Sequence, residues 1–273
     1  MPWASNPSLM STPTEATTAS QPAISDPEAS LSQSATSSQS LPEGFQPPSK
    51  HFTPRQIFYM VVVGGLGSAV MSGIINFAIA YGMYATADTS KWPIRLWQFP
   101  YTLAGDGGLS IPIQCTITWW LEVWLVNRHL RRGRVQAIGF IPEPKTRFFR
   151  WFMFLDRQQR EQDHKLVGAS IMHWLLFAGS HFARALIVSA VAFTVMWAPS
   201  VAALMFVSLS GDEKKIMPGC EHDWCYKKQW APQIFKSVKG SVLGILTTPL
   251  FVMFWLVRCG WALKNNEAHY GER

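Results

Sequence analysis

Hydrophobic residues run along this chain in blocks long enough to cross a lipid bilayer. Residues 57–84 carry no charged side chain, and about 20 apolar helical residues are enough to span the hydrocarbon core. Three further blocks with few charges cover about 105–126, 184–209 and 240–263. The pattern therefore predicts an all-α integral membrane protein with about four transmembrane helices, formed by residues 50–273.

The second block carries a polar side chain at every fourth position: Asp106, Ser110, Gln114, Thr118 and Glu122. Positions four apart lie one above the other on a helix, and polar groups in a span normally face protein or water. Asp106 and Glu122 are about 24 Å apart along a helix, too far to act as a paired acid and base. The row either lines a polar path or provides packing contacts, and we favour packing.

Small residues follow the same four-residue interval in the first block, at Gly64, Ser68, Ser72 and Asn76. Such rows let helix backbones approach closely in lipid, where packing and hydrogen bonds hold helices together. We therefore expect this face to pack on another helix. Asn76 is either an interhelical hydrogen-bonding residue, which we favour, or a contact for a ligand or ion.

Aromatic and cationic residues alternate between Lys145 and Arg160, which favours an interfacial cytosolic segment over residues 145–182. A loop that caps the bundle is the alternative. We expect a helix break near Gly179, with a span from about 184, although a five-span arrangement is also open. If one helix held His173, His181 and Arg184, they could bind an anionic headgroup or transfer protons. A solvated interfacial cluster is the interpretation we favour.

Composition separates the first 49 residues from the rest. They contain no Lys or Arg and many Ser, Thr and Pro residues, so they cannot bury enough apolar surface to fold, and we predict a disordered tail. The chain carries a net charge of +7, but its cations flank the apolar blocks rather than accompanying a nucleic-acid motif. Their concentration between Arg128 and Arg184 predicts that both termini are cytosolic.

Two of the four cysteines, Cys220 and Cys225, lie in the polar loop that we place on the opposite side of the membrane. A disulfide is the interpretation that we favour there, with free thiols or a metal site completed by His222 as alternatives. No known catalytic or metal-binding motif occurs in the chain. We expect no metal, no cofactor and no catalytic residue.

Several short blocks resemble a family of fungal multispanning membrane proteins without assigned activity. They are residues 76–84 (NFAIAYGMY), 96–108 (LWQFPYTLAGDGG), 119–128 (WWLEVWLVNR), 138–142 (IGFIP) and 150–156 (RWFMFLD). The resemblance covers about residues 55–265. It implies a fungal integral membrane protein and carries over no catalytic residue.

Three functions are compatible with this pattern. We rank first a non-enzymatic subunit or scaffold that binds a membrane-protein partner or a second copy of itself, surrounded by membrane lipid and without nucleic acid. A carrier or channel for a small solute or lipid would use the polar row of the second block. A membrane enzyme or accessory factor acting on a lipid-like metabolite would use His173, His181 and Arg184. The pattern does not indicate an organelle.

Overall fold

Four long helices make up most of the described chain. The computed structural model describes residues 46–88, 91–155, 171–210, 223–226 and 230–271. Tail residues 1–45, the middle of the expected interfacial segment (156–170) and Cys220 lie outside the described residues. The four helices, here called first to fourth, are Pro54–Ala85, Leu103–Arg131, Ile171–Ser210 and Ala231–Gly271.

Each of these helices is long and apolar enough to cross a membrane. The qualifying segments are 32, 29, 33 and 34 residues long: Pro54–Ala85, Leu103–Arg131, Trp174–Phe206 and Ala231–Lys264. At about 1.5 Å per residue, all exceed the roughly 30 Å hydrocarbon core. The predicted all-helical class therefore holds, apart from two-residue strands at Ile94–Arg95 and Cys225–Tyr226.

The first helix contains three segments with different hydrogen-bonding patterns. It begins with an α-helical turn at Pro54–Phe58, continues as a π-helix over Tyr59–Gly67 and returns to α-helix at Ser68–Ala85. A capping box formed by Thr53 and Gln56 starts it, because these side chains satisfy backbone groups that the first turn leaves open. The Gln56 side chain also donates to the Gln136 carbonyl at 2.9 Å, which ties the helix start to the segment after the second helix.

Contacts at the two ends show how the helices alternate in direction. At one end, here called the strand end, Ile94 pairs with Tyr226 and Arg95 with Cys225. This joins the loop after the first helix to the loop after the third. At the opposite end, Ser49 exchanges backbone hydrogen bonds with residues 137 and 139. We call this the basic end, since it carries the cations of residues 128–150.

The fourth helix is the centre of the bundle. In its most apolar window 61% of residues are buried, against 22–33% for the other three helices. Glycines let it come close to the first helix: a side chain at Gly244 would begin 3.0 Å from the Ser68 hydroxyl, and one at Gly64 would begin 3.2 Å from Val252. The second helix also packs on the fourth, so the first and second helices flank it.

The third helix runs without interruption, so the expected break near Gly179 does not occur. A glycine inside a helix costs only about 1 kcal/mol relative to alanine, and side-chain bonds span this site. The Ser180 hydroxyl donates to the Phe177 carbonyl at 2.8 Å, and Arg184 donates to the Ser180 carbonyl at 2.7 Å. Residues 171–182 are therefore part of the long third helix, and one helix replaces the two pieces that a five-span arrangement needs.

Two glycine substitutions test these helices. Gly179 has nothing within 4 Å of an added side chain, so Gly179→Ala should stabilise the protein by about 0.5–1 kcal/mol if the third helix is continuous there. At Gly260 the added atom would meet the backbone carbonyl of Ile138, which cannot move cheaply. Gly260→Ala should therefore destabilise the protein by about 1–3 kcal/mol.

The free energy of unfolding, measured in the same mild detergent for both variants, checks this expectation. Destabilisation by Gly179→Ala would contradict the continuous third helix. Tolerance of Gly260→Ala would contradict the close packing of the fourth helix on residues 138–139.

Candidate functional site

Gln114, in the middle of the polar row, ties three helices together. Its side-chain oxygen accepts from the Asn76 amide of the first helix at 3.1 Å, and its side-chain nitrogen donates to the Gly240 carbonyl of the fourth at 2.9 Å. Asn76 also donates to the Ser72 carbonyl at 2.9 Å. A bulkier residue than glycine at position 240 would collide with Asn76. Both amide side chains therefore bond to neighbouring helices.

Asp106, at the strand end of the row, forms an ion pair with the fourth helix. One carboxylate oxygen accepts from the Lys236 ammonium at 2.8 Å, and the other accepts from the Tyr84 hydroxyl of the first helix at 3.0 Å. The Lys236 side chain is 4% exposed and that of Asp106 is 17% exposed. Removing one member of such a buried pair leaves an uncompensated charge, which is strongly unfavourable.

One turn further along, Lys239 brings a second cation of the fourth helix to the row. Its ammonium donates to the Ser110 hydroxyl at 2.6 Å and to the Gly107 carbonyl. The apolar pattern did not indicate Lys236 or Lys239, because the apolar block starts near residue 240 whereas the helix begins at Ala231. The sequence feature that could have indicated them is their three-residue spacing, which puts both lysines on one helical face.

The basic-end half of the row is buried but less bonded. Thr118 is 8% exposed and Glu122 is 4% exposed. The Glu122 atom Oε2 has no hydrogen-bond partner among the described residues. A buried carboxylate oxygen without a donor is unfavourable in an apolar surrounding, which makes Glu122 the member of the row that is open to an additional contact.

Two of the residues predicted to pack, Gly64 and Ser68, lie against the fourth helix. Gly64 faces Val252, and the hydroxyls of Ser68 and Thr248 are 2.7 Å apart. Ser72 accepts the Asn76 hydrogen bond through its carbonyl. This face of the first helix therefore meets the fourth helix at Gly64 and Ser68, and it meets the second helix at Asn76.

Because the first and second helices both lie against the fourth, a groove remains between them. It has a volume of about 620 Å³, and the whole polar row lines it together with apolar side chains. Its lining residues from the first helix are Val63, Gly67, Ser68, Met71, Ser72, Ile75, Asn76, Ile79 and Met83. The second helix adds Leu109, Ile113, Ile117, Leu121 and Leu125, and the fourth adds Lys236. The groove is therefore a candidate binding space.

His181 and Arg184 are buried among protein side chains, so they do not form the solvated cluster that the sequence favoured. His181 is 1% exposed and accepts through Nδ1 from the Trp119 indole at 3.2 Å. Arg184 is fully buried and donates to the carbonyls of Trp151 and Phe152. Its guanidinium also lies 3.9 Å from the centre of the Phe154 ring. The pair fastens residues 151–154 to the third helix, and the His173 side chain lies outside the described residues.

The interfacial aromatics therefore divide into two groups. Phe148 and Phe149, in the short helix Arg147–Phe152, are each 53% exposed, which suits contact with lipid headgroups. Trp119 packs on Phe152 and Trp255 on Phe154, with ring centres 6.3 Å and 5.8 Å apart. The segment is thus both anchored to the bundle and open on its outer side.

At the strand end, Cys225 is disulfide-bonded. The predicted partner Cys220 lies outside the described residues, so the Cys220–Cys225 pair stays a prediction. Cys115 and Cys259 are free and buried.

Burial, together with the Asp223 carboxylate, raises the pKa of Tyr226 to about 12. Within the described ranges, no group of three or more His, Cys, Asp or Glu residues is arranged to hold a metal ion.

Comparisons with known proteins give a family and two relatives. Residues 150–256 match the model of a family described as a protein of unknown function (DUF2456). An uncharacterized protein of Schizosaccharomyces pombe is 33% identical over 218 residues, which cover 78% of this chain and 40% of that protein. The chain thus spans about two fifths of that relative's length.

An uncharacterized protein of Saccharomyces cerevisiae is 25% identical over 255 residues, covering 74% of this chain and 78% of that protein. No solved structure matches the chain. The chain therefore has uncharacterised fungal homologues, as its sequence blocks predicted, and over residues 150–256 it is similar to the DUF2456 family.

Proposed function

We propose that this chain is an integral membrane protein that works without catalysis, as a subunit or scaffold of a membrane assembly. Its distribution of side chains supports membrane placement. Large apolar residues are exposed on the first and third helices, with Val70 60% and Val191 62% exposed, while Asp106 and Gln114 bond inward. Lipid favours this arrangement, because it solvates apolar surface and leaves polar groups to satisfy one another.

The charges of the two ends support an orientation. Cations gather at the basic end, on Arg128, Arg131, Arg132, Arg134, Lys145, Arg147 and Arg150. Cytosolic loops carry an excess of Lys and Arg, so the basic end faces the cytosol. The described chain enters and leaves the bundle at that end, since Gly139 lies against both Pro48 and Lys264. Both termini are then cytosolic.

A pair of cysteine substitutions tests this orientation. Lys145 at the basic end and Lys91 at the strand end are both exposed, and the native thiols Cys115 and Cys259 are buried. In sealed vesicles with the cytosolic face outward, a membrane-impermeant maleimide should label Lys145→Cys and leave Lys91→Cys unlabelled until detergent is added. Labelling of only Lys91→Cys would mean that the orientation is the opposite one. Labelling of both variants in sealed vesicles would mean that the two ends are not separated by the membrane.

The hydrogen bonds of the polar row support the proposal that the chain works without catalysis. Asp106, Ser110 and Gln114 each bond to the fourth helix. A conducting path or an active site needs polar groups that can exchange partners with a substrate, whereas these groups hold helices together. The network therefore supports a rigid membrane scaffold.

A subunit should leave the membrane with its partner. We expect native mass spectrometry of the chain, extracted in a mild non-ionic detergent, to give a complex with a second membrane protein or with a second copy at one fixed ratio. The Lys145→Cys form, labelled with maleimide at its exposed site on the basic end, serves as a reference, because the added mass identifies this chain in the complex. A mass equal to a single chain across detergents would contradict the subunit proposal, and a single chain that exchanges lipid would favour the carrier alternative.

A further inference from the structure

We propose that the groove between the first and second helices, together with a basic mouth at its cytosolic end, binds one anionic membrane lipid. The phosphate of the lipid contacts Arg55 and Arg134, and one hydrocarbon chain lies along the groove. This inference rests on the membrane placement proposed above, but it does not require a protein partner.

A second cavity continues the groove toward the basic end. It has a volume of about 540 Å³ and is lined by Pro54, Arg55, Phe58, Tyr59, Val63, His129, Arg134 and Val135. We call it the mouth. Val63 lines both spaces, so they adjoin at that residue. Each volume lies in the roughly 300–1,000 Å³ range of ligand pockets.

The shape of the groove fits an extended hydrocarbon chain. Its polar members run from Asp106 to Glu122, about 24 Å along the second helix. Its walls are aliphatic and thioether side chains such as Met71, Ile75 and Ile117, which are themselves exposed. Side chains of this kind adapt to a flexible apolar ligand. The groove also opens toward the surface that would face lipid.

The charge of the mouth selects the headgroup. Arg55 and Arg134 are both exposed there, and His129 lies between them and the groove with its Nδ1 2.8 Å from the Tyr59 hydroxyl. None of the residues that line the mouth is acidic, so far as the described chain is concerned. Guanidinium groups bind phosphate oxygens through paired hydrogen bonds. The mouth is therefore complementary to a phosphate at headgroup depth.

Glu122 lies in the groove near the end where it adjoins the mouth, and its side chain is the third feature that supports the proposal. It lies seven residues before His129, about 10 Å deeper along the second helix. Its Oε2 has no hydrogen-bond partner among the described residues although the side chain is only 4% exposed. The ester carbonyls of a lipid, between headgroup and chains, reach this depth, and because they only accept hydrogen bonds, Glu122 would meet them in its protonated form. A partner's transmembrane helix would bring apolar side chains to the groove but no anion to the mouth.

Native mass spectrometry of the purified full chain in a non-ionic detergent tests the proposal. The probes are phosphatidylglycerol and phosphatidylcholine with identical acyl chains. We expect one phosphatidylglycerol to be retained per chain, with phosphatidylcholine retained about tenfold less, because its choline cation would lie beside the two arginines and offset the attraction of its phosphate. The double variant Arg55→Gln, Arg134→Gln should lose that preference, while Arg132→Gln, an exposed neighbour outside the mouth, should keep it.

A second pair of variants tests the groove itself. Ile75, which is 51% exposed, lines the groove, and Ile74, which is 60% exposed on the first helix, does not. Ile75→Trp should lower the retention of both lipids about tenfold or more by filling the groove, while Ile74→Trp should retain phosphatidylglycerol normally. An unchanged thermal midpoint shows that each variant is folded, and the surface arginine variants give a second route if a tryptophan variant is not.

Several results would overturn the proposal. They are equal retention of the two lipids, normal retention by the double arginine variant, displacement of the lipid by free glycerol phosphate, and a lipid-free dimer that Ile75→Trp separates. Release of the chain from membranes by alkaline carbonate without detergent would instead overturn the membrane placement, which separates that failure from a failure of lipid selectivity.

Discussion

The bundle depends on polar side chains that satisfy one another between the helices. Gln114 accepts from the first helix and donates to the fourth, and Asp106 accepts from both. In lipid there is no hydrophobic drive to bring helices together, so such bonds and close packing determine which faces meet. The glycines at the contacts between the first and fourth helices make these bonds possible, because they let the backbones approach.

One consequence of this network is the groove. The fourth helix supplies the lysines and the Gly240 carbonyl that the second helix needs, while its glycine face receives the small residues of the first helix. The first and second helices are thereby held on two sides of the fourth, connected to each other at Tyr84–Asp106 and Asn76–Gln114. The space left between them is polar on its floor, apolar on its walls and basic at one end. The apolar walls and the basic end are the features that match the chain and the charged headgroup of the proposed lipid.

Sequence patterns predicted the features that depend on local physics. The uncharged first block matched a helix because hydrophobic length alone determines a span, and the four-residue spacing correctly indicated which side chains share a face. The third helix was predicted with a break because the run of 44 residues from Leu166 to Leu209 is too long for one ordinary span, whereas the structure continues the helix with the hydrogen bonds of Ser180 and Arg184. Lys236 and Lys239 were left out of the fourth helix because the apolar block starts near residue 240, and their partners Asp106 and Ser110 lie about 130 positions away. The groove depends on how three helices pack, which no single segment specifies.

The central claim is that the polar row holds helices together, and the coupling between Asn76 and Gln114 tests it most directly. A double-mutant cycle with Asn76→Leu, Gln114→Leu and the combined variant would measure the free energy of unfolding in mild detergent. Each single variant should destabilise the protein, and the double variant should cost less than their sum by about 0.5–1.5 kcal/mol. Additive effects of the two substitutions, that is, a coupling free energy near zero, would contradict the account, because they would mean that the two side chains do not interact.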